Sequence, residues 1–279
     1  MDRYGVIGQP IAHSRSPQIH ALFAQETGQN LSYERIGPPV DHFEQTVLQF
    51  MREGGCGLNV TLPFKERALA MAHTCSERAM VAGAANTLVF QKHNIHADNT
   101  DGVGLVRDLT RNLGFSLANK HLLLIGAGGA ARGVILPLLQ QAPARLVLSN
   151  RTLSRAQQLL RELADCKISN PAQLEPLTLC ALDEIPVESF DLVLNATSAT
   201  LTGGEILIPA DVFGATTLAY DMLYSATATP FMQLALRCGV RQAVDGLGML
   251  VEQAAESFRL WRGIEPYTAS VLQQLRHTA

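Results

Sequence analysis

Apolar residues along the chain alternate between two periods, one suited to strands and the other to helices. Short apolar runs at residues 4–7, 31–36 and 57–60 have the length of buried strands, whereas residues 19–27 and 42–52 have a helical spacing. Strands that alternate with helices build βαβ units, which pair into a largely parallel sheet. The first part of the chain is therefore predicted to have an α/β fold.

The alternation pauses and then restarts further along the chain. Residues 87–91 and 95–98 predict two strands or a hairpin, and the first unit is expected to end near Asp101. A helical pattern over residues 103–113 leads to a second series, with strands predicted at residues 121–125, 146–149, 192–194, 218–220 and 242–244. Because 279 residues exceed one typical domain, we expect two.

The last long helical pattern has an apolar face that needs a partner. Within residues 247–261, one face carries Leu250, Ala254, Phe258 and Trp261. We expect this helix to return to the first domain. The predicted first domain therefore spans residues 1–101 and is completed by helices within 249–279, while the second spans residues 102–248.

Composition narrows the class of partner. The net charge is −3 without long runs of either sign, which does not favour nucleic acid or an anionic membrane. No segment has the length of a membrane span or a signal-peptide core, and five cysteines without a CxxC spacing predict neither a metal site nor a disulfide framework. A small-molecule substrate and a cytoplasmic location are expected. The oligomeric state stays open, a homodimer included.

A glycine-rich turn gives the clearest chemical signal. Gly126, Ala127, Gly128, Gly129 and Ala130 follow an apolar strand and open a helix, in the GxGxxA form of the dinucleotide fingerprint. Glycines at these positions let the backbone approach a pyrophosphate at the helix N-terminus. Such a turn can also serve only tight strand-to-helix packing. In this context we interpret it as the cofactor site of a Rossmann-type, doubly wound domain.

The residues after the next strand indicate which dinucleotide binds. An NAD enzyme commonly has a carboxylate there for the ribose 2′-hydroxyl, but this chain has Asn150, Arg151, Thr152 and Arg155. Arginine binds a phosphate through paired, charge-assisted hydrogen bonds. The alternative is that both arginines only solvate the start of a helix. NADP is therefore the predicted cofactor.

The first domain carries polar clusters near predicted strand ends and helix starts. Ligands of open α/β sheets gather at the carboxyl ends of strands. Ser14 and Ser16 have hydroxyls that can donate to a substrate carboxylate, although Ser16 before Pro17 also has the form of a helix N-cap. The other clusters are Asn59 to Lys65, Asn86 with Thr87, and Asn99 to Asp101.

Lys65 and Asp101 are the candidate proton-handling pair. Interconverting an alcohol and a ketone by hydride transfer needs a group that takes the hydroxyl proton and returns it, and a positioned amine can do both. Asp101 could hold that ammonium group. Most lysines are surface charges, and an Asp before a glycine is often a turn residue or a helix N-cap, so both alternatives stay open.

Ten ordered motifs resemble the shikimate dehydrogenase family along nearly the whole chain. They are HSRSP at 13–17, NVTLPFK at 59–65, GAANT at 83–87, NTDGVG at 99–104, GAGGAARG at 126–133, NRTLSRA at 150–156, NATS at 195–198, YDMLY at 220–224, TPF at 229–231 and DGLGMLVEQAAESF at 245–258. The resemblance implies NADPH-dependent reduction of 3-dehydroshikimate to shikimate, a step of aromatic amino-acid biosynthesis, and it implies that the final helices rejoin the substrate domain.

The resemblance also implies residue roles. Lys65 would be the acid/base residue. Ser14 and Ser16 would bind the substrate carboxylate, with Thr61, Asn86, Asp101, Tyr224 and Gln253 contacting the rest of the substrate. Residues 126–130 and 150–155 would bind the dinucleotide, with Met222 and Gly246 near the nicotinamide.

The sequence departs from the family pattern at two places, and two alternative functions remain open. Thr200 stands where the family usually has glycine, and the proline often found shortly after the tyrosine is missing after Tyr224. One alternative is a quinate/shikimate dehydrogenase of broader specificity, against which the absence of an acidic residue near Asn150 argues. The other is a catalytically silent NADP-binding regulator, against which the presence of both Lys65 and Asp101 argues.

Overall fold

The computed structural model describes residues 1–166, 171–197 and 207–277. The chain divides into two compact units. Unit one comprises Met1–Gly104 together with the chain from Leu250 onward, and unit two comprises Leu105–Met249. Within the described residues, no helix combines the length and the apolar character needed to cross a membrane.

Unit one is built on a six-stranded sheet of strand order β2-β1-β3-β5-β6-β4. Its strands are β1 (Asp2–Ile7), β2 (Leu31–Ile36), β3 (Gly55–Val60), β4 (Thr74–Cys75), β5 (Thr87–Gln91) and β6 (Asn94–Asp98). Its first four helices are α1 (Ser16–Thr27), α2 (Phe43–Arg52), α3 (Lys65–Ala70) and α4 (Glu77–Ala82). The chain then enters α5 (Asp101–Arg107), within which the unit boundary falls.

The sheet of unit one is mixed rather than largely parallel. β1 pairs in parallel with β2 and β3, but β5 is antiparallel to both β3 and β6. The cause is the predicted hairpin, which is present: β5 and β6 are joined by only Lys92 and His93, and Lys92 has a φ of 55°. A two-residue connection forces antiparallel pairing. The prediction of a largely parallel sheet is therefore wrong for this strand.

The C-terminal helices α9 (Leu247–Arg262) and α10 (Thr268–His277) complete unit one from Leu250 onward. The predicted apolar face of α9 packs there, since Phe258 is fully buried and Trp261 stacks on Tyr4 at 4.6 Å between ring centroids. The indole Nε1 of Trp261 donates to the carbonyl of Leu88 at 3.0 Å. A Cβ at Gly57 would lie 2.4 Å from that nitrogen, so this strand position must be glycine for the indole to approach.

Unit two has a six-stranded, fully parallel sheet of order β12-β11-β10-β7-β8-β9. Its strands are β7 (His121–Ile125), β8 (Arg145–Asn150), β9 (Leu177–Ala181), β10 (Leu192–Asn195), β11 (Leu218–Asp221) and β12 (Gln242–Val244), and its helices after α5 are α6 (Gly129–Leu139), α7 (Leu153–Asp165) and α8 (Pro230–Arg237). The central strands are buried continuous apolar runs, as sheets covered on both faces require.

The strand order of unit two is that of a doubly wound dinucleotide-binding sheet. Counted from β7, the spatial order is 3-2-1-4-5-6, and the winding reverses between β7 and β10. The predicted fold class, with a Rossmann-type domain, is therefore confirmed. The helix predicted over 103–113 is divided, because α5 ends at Arg107 and Asp108–Asn112 forms a π-helical turn.

Candidate active site

Lys65 and Asp101 form an ion pair within unit one. Lys65 is the first residue of α3 and Asp101 is the first residue of α5, so each follows a strand of the same sheet. Nζ of Lys65 lies 2.7 Å from Oδ2 of Asp101, and the side chains are 26% and 6% exposed. Lys65 is therefore paired instead of being a free surface charge. Asp101, at the start of α5, also fits the helix-start alternative.

Asn86 binds the second oxygen of the Asp101 carboxylate. Its Nδ2 donates to Oδ1 of Asp101 at 2.8 Å and to Oε1 of Gln253 at 2.9 Å. Its Oδ1 accepts from the backbone N–H of Thr100 at 2.9 Å. An N–H can only donate and an ionised carboxylate can only accept, so these two partners fix the orientation of the Asn86 amide. Asp101 is thus held at both oxygens, with Lys65 on one side.

Gln253 reaches this group from α9. The Oγ1 of Thr100 donates to its backbone carbonyl at 3.0 Å, while its side-chain oxygen accepts from Asn86. Four of the predicted site residues, Lys65, Asn86, Asp101 and Gln253, are therefore in one hydrogen-bonded group. The contact between Asn86 and Gln253 spans 167 positions of the sequence.

An ion pair behind the site fixes the turn that carries Asp101. Asp98 accepts from Nε and Nη2 of Arg78 at 2.6 and 2.9 Å and from the backbone N–H of Asn99 at 2.7 Å. Burial acts to raise the pKa of Asp98, but the hydrogen bonds and charge of Arg78, with help from Ser76 and Asn99, hold this pKa below its usual value. Asp98 therefore stays ionised and anchors the start of the Asn99 to Asp101 segment.

Ser14 and Ser16 form a second polar group at the start of α1. The Oγ of Ser14 accepts from the backbone N–H of Ser16 at 3.3 Å and donates to its Oγ at 3.2 Å. The helix begins at Ser16, the cap position is Arg15, and no side chain caps it. The alternative that Ser16 is the helix N-cap is wrong, because the helical conformation already includes it.

Thr61 lies at the carboxyl end of β3, beside the loop that follows β1. Its side chain is half-buried, and a Cβ at Gly8 would lie 2.3 Å from its Cγ2. The backbone N–H of Gln9 donates to the carbonyl of Leu62 at 3.0 Å. The loops after β1 and β3 are therefore in contact at one edge of the sheet, where Thr61 lies.

Five residues that are not among the predicted site residues join these groups: Tyr33, Asn59, Thr87, Thr100 and Ser257. Asn59 accepts from the hydroxyl of Tyr33 at 2.7 Å and donates to the Oγ of Ser257 at 2.9 Å. Asn59 and Thr100 lie inside motifs that the sequence shows. Tyr33 and Ser257 carry no local signal, since each looks like an ordinary residue of a strand or a helix.

The glycine-rich turn of unit two has the conformation that the fingerprint requires. Gly126 has a φ of 109°, and a Cβ there would lie 2.9 Å from Cγ2 of Thr197. A Cβ at Gly128 or Gly129 would meet nothing within 4 Å, so the backbone in front of α6 faces open space. Residues 128–130 are exposed. This cradle at a helix N-terminus fits the pyrophosphate of a dinucleotide.

The end of β8 holds this turn and presents two arginines. The backbone N–H of Ala127 donates to Oδ1 of Asn150 at 3.2 Å, and Nδ2 of Asn150 donates to the carbonyl of Thr152 at 2.8 Å. Arg151 and Arg155 are exposed, and neither side chain has a hydrogen bond or ion pair with any residue that the structure describes. Two guanidinium groups without a partner among the described residues fit a ribose 2′-phosphate.

Gly246 allows the backbone after β12 to lie against Met222. A Cβ at position 246 would lie 2.4 Å from the carbonyl oxygen of Met222, and the Gly246 N–H donates to the carbonyl of Leu223 at 2.9 Å. Beneath them, buried Asp221 accepts from Oγ1 of Thr229 at 2.6 Å. Burial raises the pKa of Asp221, although its hydrogen bonds oppose the shift.

Two sequence observations remain, the predicted substrate contact of Tyr224 and the departure from the family pattern at Thr200. Tyr224 is 37% exposed and belongs to unit two. The departure at Ala199, Thr200 and Leu201 lies outside the described residues.

The fold and these two groups of residues define a class of enzyme. A doubly wound sheet with a glycine-rich turn and a second α/β unit with a Lys/Asp pair are the features of a nicotinamide-dinucleotide-dependent dehydrogenase. Comparison with known sequences identifies the group within this class. The chain belongs to the shikimate dehydrogenase family.

Three family descriptions match successive parts of the chain. They are the shikimate dehydrogenase substrate binding domain over residues 6–88, shikimate / quinate 5-dehydrogenase over residues 108–204, and the shikimate 5′-dehydrogenase C-terminal domain over residues 246–276. Shikimate dehydrogenase (NADP(+)) of Acidovorax sp. (strain JS42) is 54% identical over 99% of this chain and 96% of its own length.

Solved structures agree with the family in fold. An Ael1 enzyme from Pseudomonas putida is 48% identical, with a TM-score of 0.90 over 99% of this chain and 98% of its own. Shikimate 5-dehydrogenase from Thermus thermophilus, in complex with NADP(H) and shikimate, is 31% identical, with a TM-score of 0.85 over the whole of both chains.

Proposed function

We propose that this chain catalyses the reversible, NADPH-dependent reduction of 3-dehydroshikimate to shikimate, a step of aromatic amino-acid and chorismate biosynthesis. The observation that carries the proposal is the ion pair of 2.7 Å between Lys65 and Asp101. It occurs in a chain that is 54% identical to an NADP-dependent shikimate dehydrogenase. A proton-handling pair is the group that this reaction requires besides the cofactor.

In this proposal Lys65 is the acid/base residue and Asp101 is its partner. Bound NADPH supplies the hydride that the carbonyl carbon receives. The ammonium group of Lys65 donates a proton to the carbonyl oxygen, which becomes the hydroxyl of shikimate, and the neutral amine takes this proton back in the oxidative direction. Asp101 directs the ammonium group, and Asn86 fixes Asp101. A positioned acid or base contributes about 10²- to 10⁴-fold to a rate.

The remaining substrate contacts are assigned by the charge and hydrogen bonding of the side chains. Ser14 and Ser16 would donate their hydroxyl hydrogens to the carboxylate, which is charged, at the N-terminus of α1. Thr61, Asn86, Asp101, Gln253 and Tyr224 would bind the hydroxyl groups and the neighbouring atoms. These contacts imply a domain assignment in which residues 1–101, together with helices in 249–279, would bind the substrate.

Residues 102–248 would bind NADP. Gly126, Ala127, Gly128, Gly129 and Ala130 would cradle the pyrophosphate, Met222 and Gly246 would lie near the nicotinamide, and Asn150, Arg151, Thr152 and Arg155 would bind the adenosine ribose and its 2′-phosphate. The two exposed arginines, which have no partner in the part of the chain that the structure describes, support this choice over NAD. The site offers no carboxylate at this strand end, so a broader quinate/shikimate enzyme is not favoured. A silent regulator would not need the Lys65 and Asp101 pair.

We also propose that the protein acts in the cytoplasm, with shikimate, 3-dehydroshikimate and the dinucleotide as its partners. The assembly to test first is a homodimer, which is the oligomer that soluble proteins form most often. Size-exclusion chromatography with light scattering measures it directly.

Steady-state reduction of NADP with shikimate, and then with quinate, tests the proposed reaction. We expect turnover with shikimate and NADP, and a kcat/KM that is much lower with quinate or with NAD. Equal kcat/KM for quinate would favour the broader enzyme. NADP binding without turnover of either acid would favour the regulator.

A further inference from the structure

Arg35 lies near the carboxyl end of β2, beside the strand that leads to the serine pair of α1. β2 is the outer strand next to β1, and in their parallel register Arg35 lies opposite Val6. Tyr33 stacks on His20 of α1 at 4.2 Å between ring centroids. Residues two apart in a strand point to the same face of the sheet. The side chain of Arg35 therefore extends on the face that α1 covers, toward the start of that helix.

Arg35 holds the backbone of Ser14 with two N–H groups. Its Nε and Nη2 donate to the carbonyl oxygen of Ser14 at 3.0 and 2.6 Å. The N–H of Ser14 donates to the carbonyl of Ile11 at 3.0 Å, and its Oγ accepts from the N–H of Ser16 at 3.3 Å. The two backbone polar groups of Ser14 and its hydroxyl oxygen thus all have partners, and Arg35 is the charged one of the three.

The guanidinium group of Arg35 has donors and charge to spare. A guanidinium carries five N–H donors, and Ser14 uses two of them. The side chain is exposed, and it has no other hydrogen bond or ion pair with a residue that the structure describes. The neighbouring carboxylate of Glu34 pairs instead with Arg3 at 3.1 Å. The positive charge of Arg35 is therefore not neutralised by a carboxylate within the described part of the chain.

This charge lies where a negatively charged ligand would gain from it. Lys65 and Asp101 form a pair without net charge, so that pair does not attract an anion from a distance. The N-terminus of α1 offers only the partial charge of a helix dipole. A full positive charge beside the hydroxyl donors of Ser14 and Ser16 strengthens the binding of a carboxylate, and it does not act on a neutral group in the same place.

We propose that Arg35 is the residue by which the site at the start of α1 selects an anionic substrate. It acts in two ways, by holding Ser14 in place and by supplying the positive charge that a carboxylate needs. The inference rests on the proposed function, since it takes Ser14 and Ser16 as ligands of the shikimate carboxylate. Arg35 is a positioning residue without a part in proton transfer, so its loss weakens substrate binding and leaves the chemical step almost unchanged.

The first test is Arg35→Gln, with Arg52→Gln as the matched control. Arg52 is exposed in the last turn of α2, just before β3 begins, and so lies at the opposite edge of the sheet. We expect Arg35→Gln to raise the KM for shikimate about 10-fold, while kcat and the KM for NADP stay within about 2-fold of wild type. The control should match wild type. An unchanged KM in folded Arg35→Gln would overturn the inference, whereas wild-type protein without turnover of shikimate would contradict the proposed function.

Arg35→Lys separates the charge from the paired hydrogen bond. Lysine keeps the charge but does not present two N–H groups in a fixed fork. We expect the KM for shikimate to rise about 3-fold in this variant, with the wild-type dependence on ionic strength, whereas Arg35→Gln should lose most of that dependence. A purely structural role would give a lower thermal midpoint in both variants and leave the dependence on ionic strength as it is in wild type.

The uncharged methyl ester of shikimate tests whether Arg35 acts on the carboxylate itself. The ester is measured as a substrate or as a competitive inhibitor, at saturating NADP. We expect Arg35→Gln to reduce the preference for the acid over the ester about 5-fold, because only the acid is charged. An equal loss for acid and ester would overturn the proposed selection. If Arg35→Gln does not fold, the wild-type preference decides: it should decrease as ionic strength rises from about 0.05 to 0.5 M, and a constant preference would overturn the inference.

Discussion

Unit one and unit two differ in how far their polar groups are already satisfied. Around Lys65, both oxygens of Asp101 and both ends of the Asn86 amide have protein partners. At the end of β8, Arg151 and Arg155 have none among the described residues, and the glycine-rich turn faces open space. The first arrangement fixes the ammonium group of Lys65, the proposed proton donor, before any ligand arrives. The second would be completed by the ligand, whose phosphates would supply the missing partners.

The largest expected effect on activity comes from unit one, where Lys65 is already held in place by protein partners. Lys65→Ala should lower kcat about 10²- to 10⁴-fold and change the KM for shikimate much less, because it removes the acid/base and few binding contacts. Lys120→Ala is the control, since Lys120 pairs with Asp191 in unit two. Steady-state kinetics decide the matter, and turnover close to wild type would exclude Lys65 from the mechanism.

The second-largest effect is expected from a substitution in the glycine-rich turn of unit two. Gly126→Ala places a Cβ at a φ of 109° and 2.9 Å from Thr197, so we expect the KM for NADP to rise about 10- to 100-fold, the range that about 1–3 kcal/mol of strain allows. Gly239→Ala introduces similar strain, at a φ of 91°, where no atom lies within 4 Å. If both variants raised this KM equally, the defect would be one of general stability.

A smaller effect is expected when one of the two exposed guanidinium groups at the end of β8 is removed. Arg151→Ala should raise the KM for NADP about 10-fold and leave that for NAD almost unchanged, because only NADP has the 2′-phosphate and charged hydrogen bonds contribute about 1.5–3 kcal/mol. Arg161→Ala, on the exposed side of α7, is the control. Equal changes for the two dinucleotides would contradict the phosphate assignment.

The preorganised unit also contains a polar group that its network leaves without a partner. His20 is fully buried and stacked on Tyr33 at 4.2 Å, and neither ring nitrogen has a hydrogen-bond partner among the residues that the structure describes. Burial lowers the pKa of His20 to about 3, although nearby Asn59 favours the protonated ring. The amide of Asn59 is occupied by Tyr33 and Ser257, which explains why it does not serve His20.

This histidine predicts a pH dependence of stability. The unfolded chain binds the proton below about pH 6.5, but the folded protein does not do so until about pH 3, so the free energy of unfolding decreases as the pH falls between these values. At pH 5 the loss is about 2 kcal/mol at most. His20→Phe should reduce the difference between thermal midpoints at pH 7.5 and pH 5, and exposed His93→Phe should not. An identical difference in wild type and His20→Phe would contradict this.

The sequence patterns correctly predicted those features that depend on residues close together along the chain. β2 and β12 have the predicted bounds, and the glycine-rich turn has the expected backbone. Strands β4 and β9 were missed, since β4 has only two residues and β9 alternates with polar threonine and ends among polar residues. The antiparallel direction of β5 depends on pairing, which a strand pattern does not contain.

The network around Asn86 could not be predicted in the same way. Asn59 meets Ser257 across 198 positions, and Tyr33 meets Asn59 across 26. No period in the sequence links such residues, because the register of β2 and β3 on β1 and the return of α9 bring them together. Motifs identified Lys65, Asn86 and Asp101, whereas Tyr33 and Ser257 could be placed beside Asn59 only by the fold.

The single tryptophan of the chain gives the molecule an intrinsic optical probe. Trp261 belongs to unit one, where it stacks on Tyr4 and donates to Leu88. Selective excitation of the indole therefore reports on the melting of this unit alone, while circular dichroism records both. Wherever the two signals diverge along a denaturant titration, the gap between them measures independent unfolding of the dinucleotide-binding half without any added label.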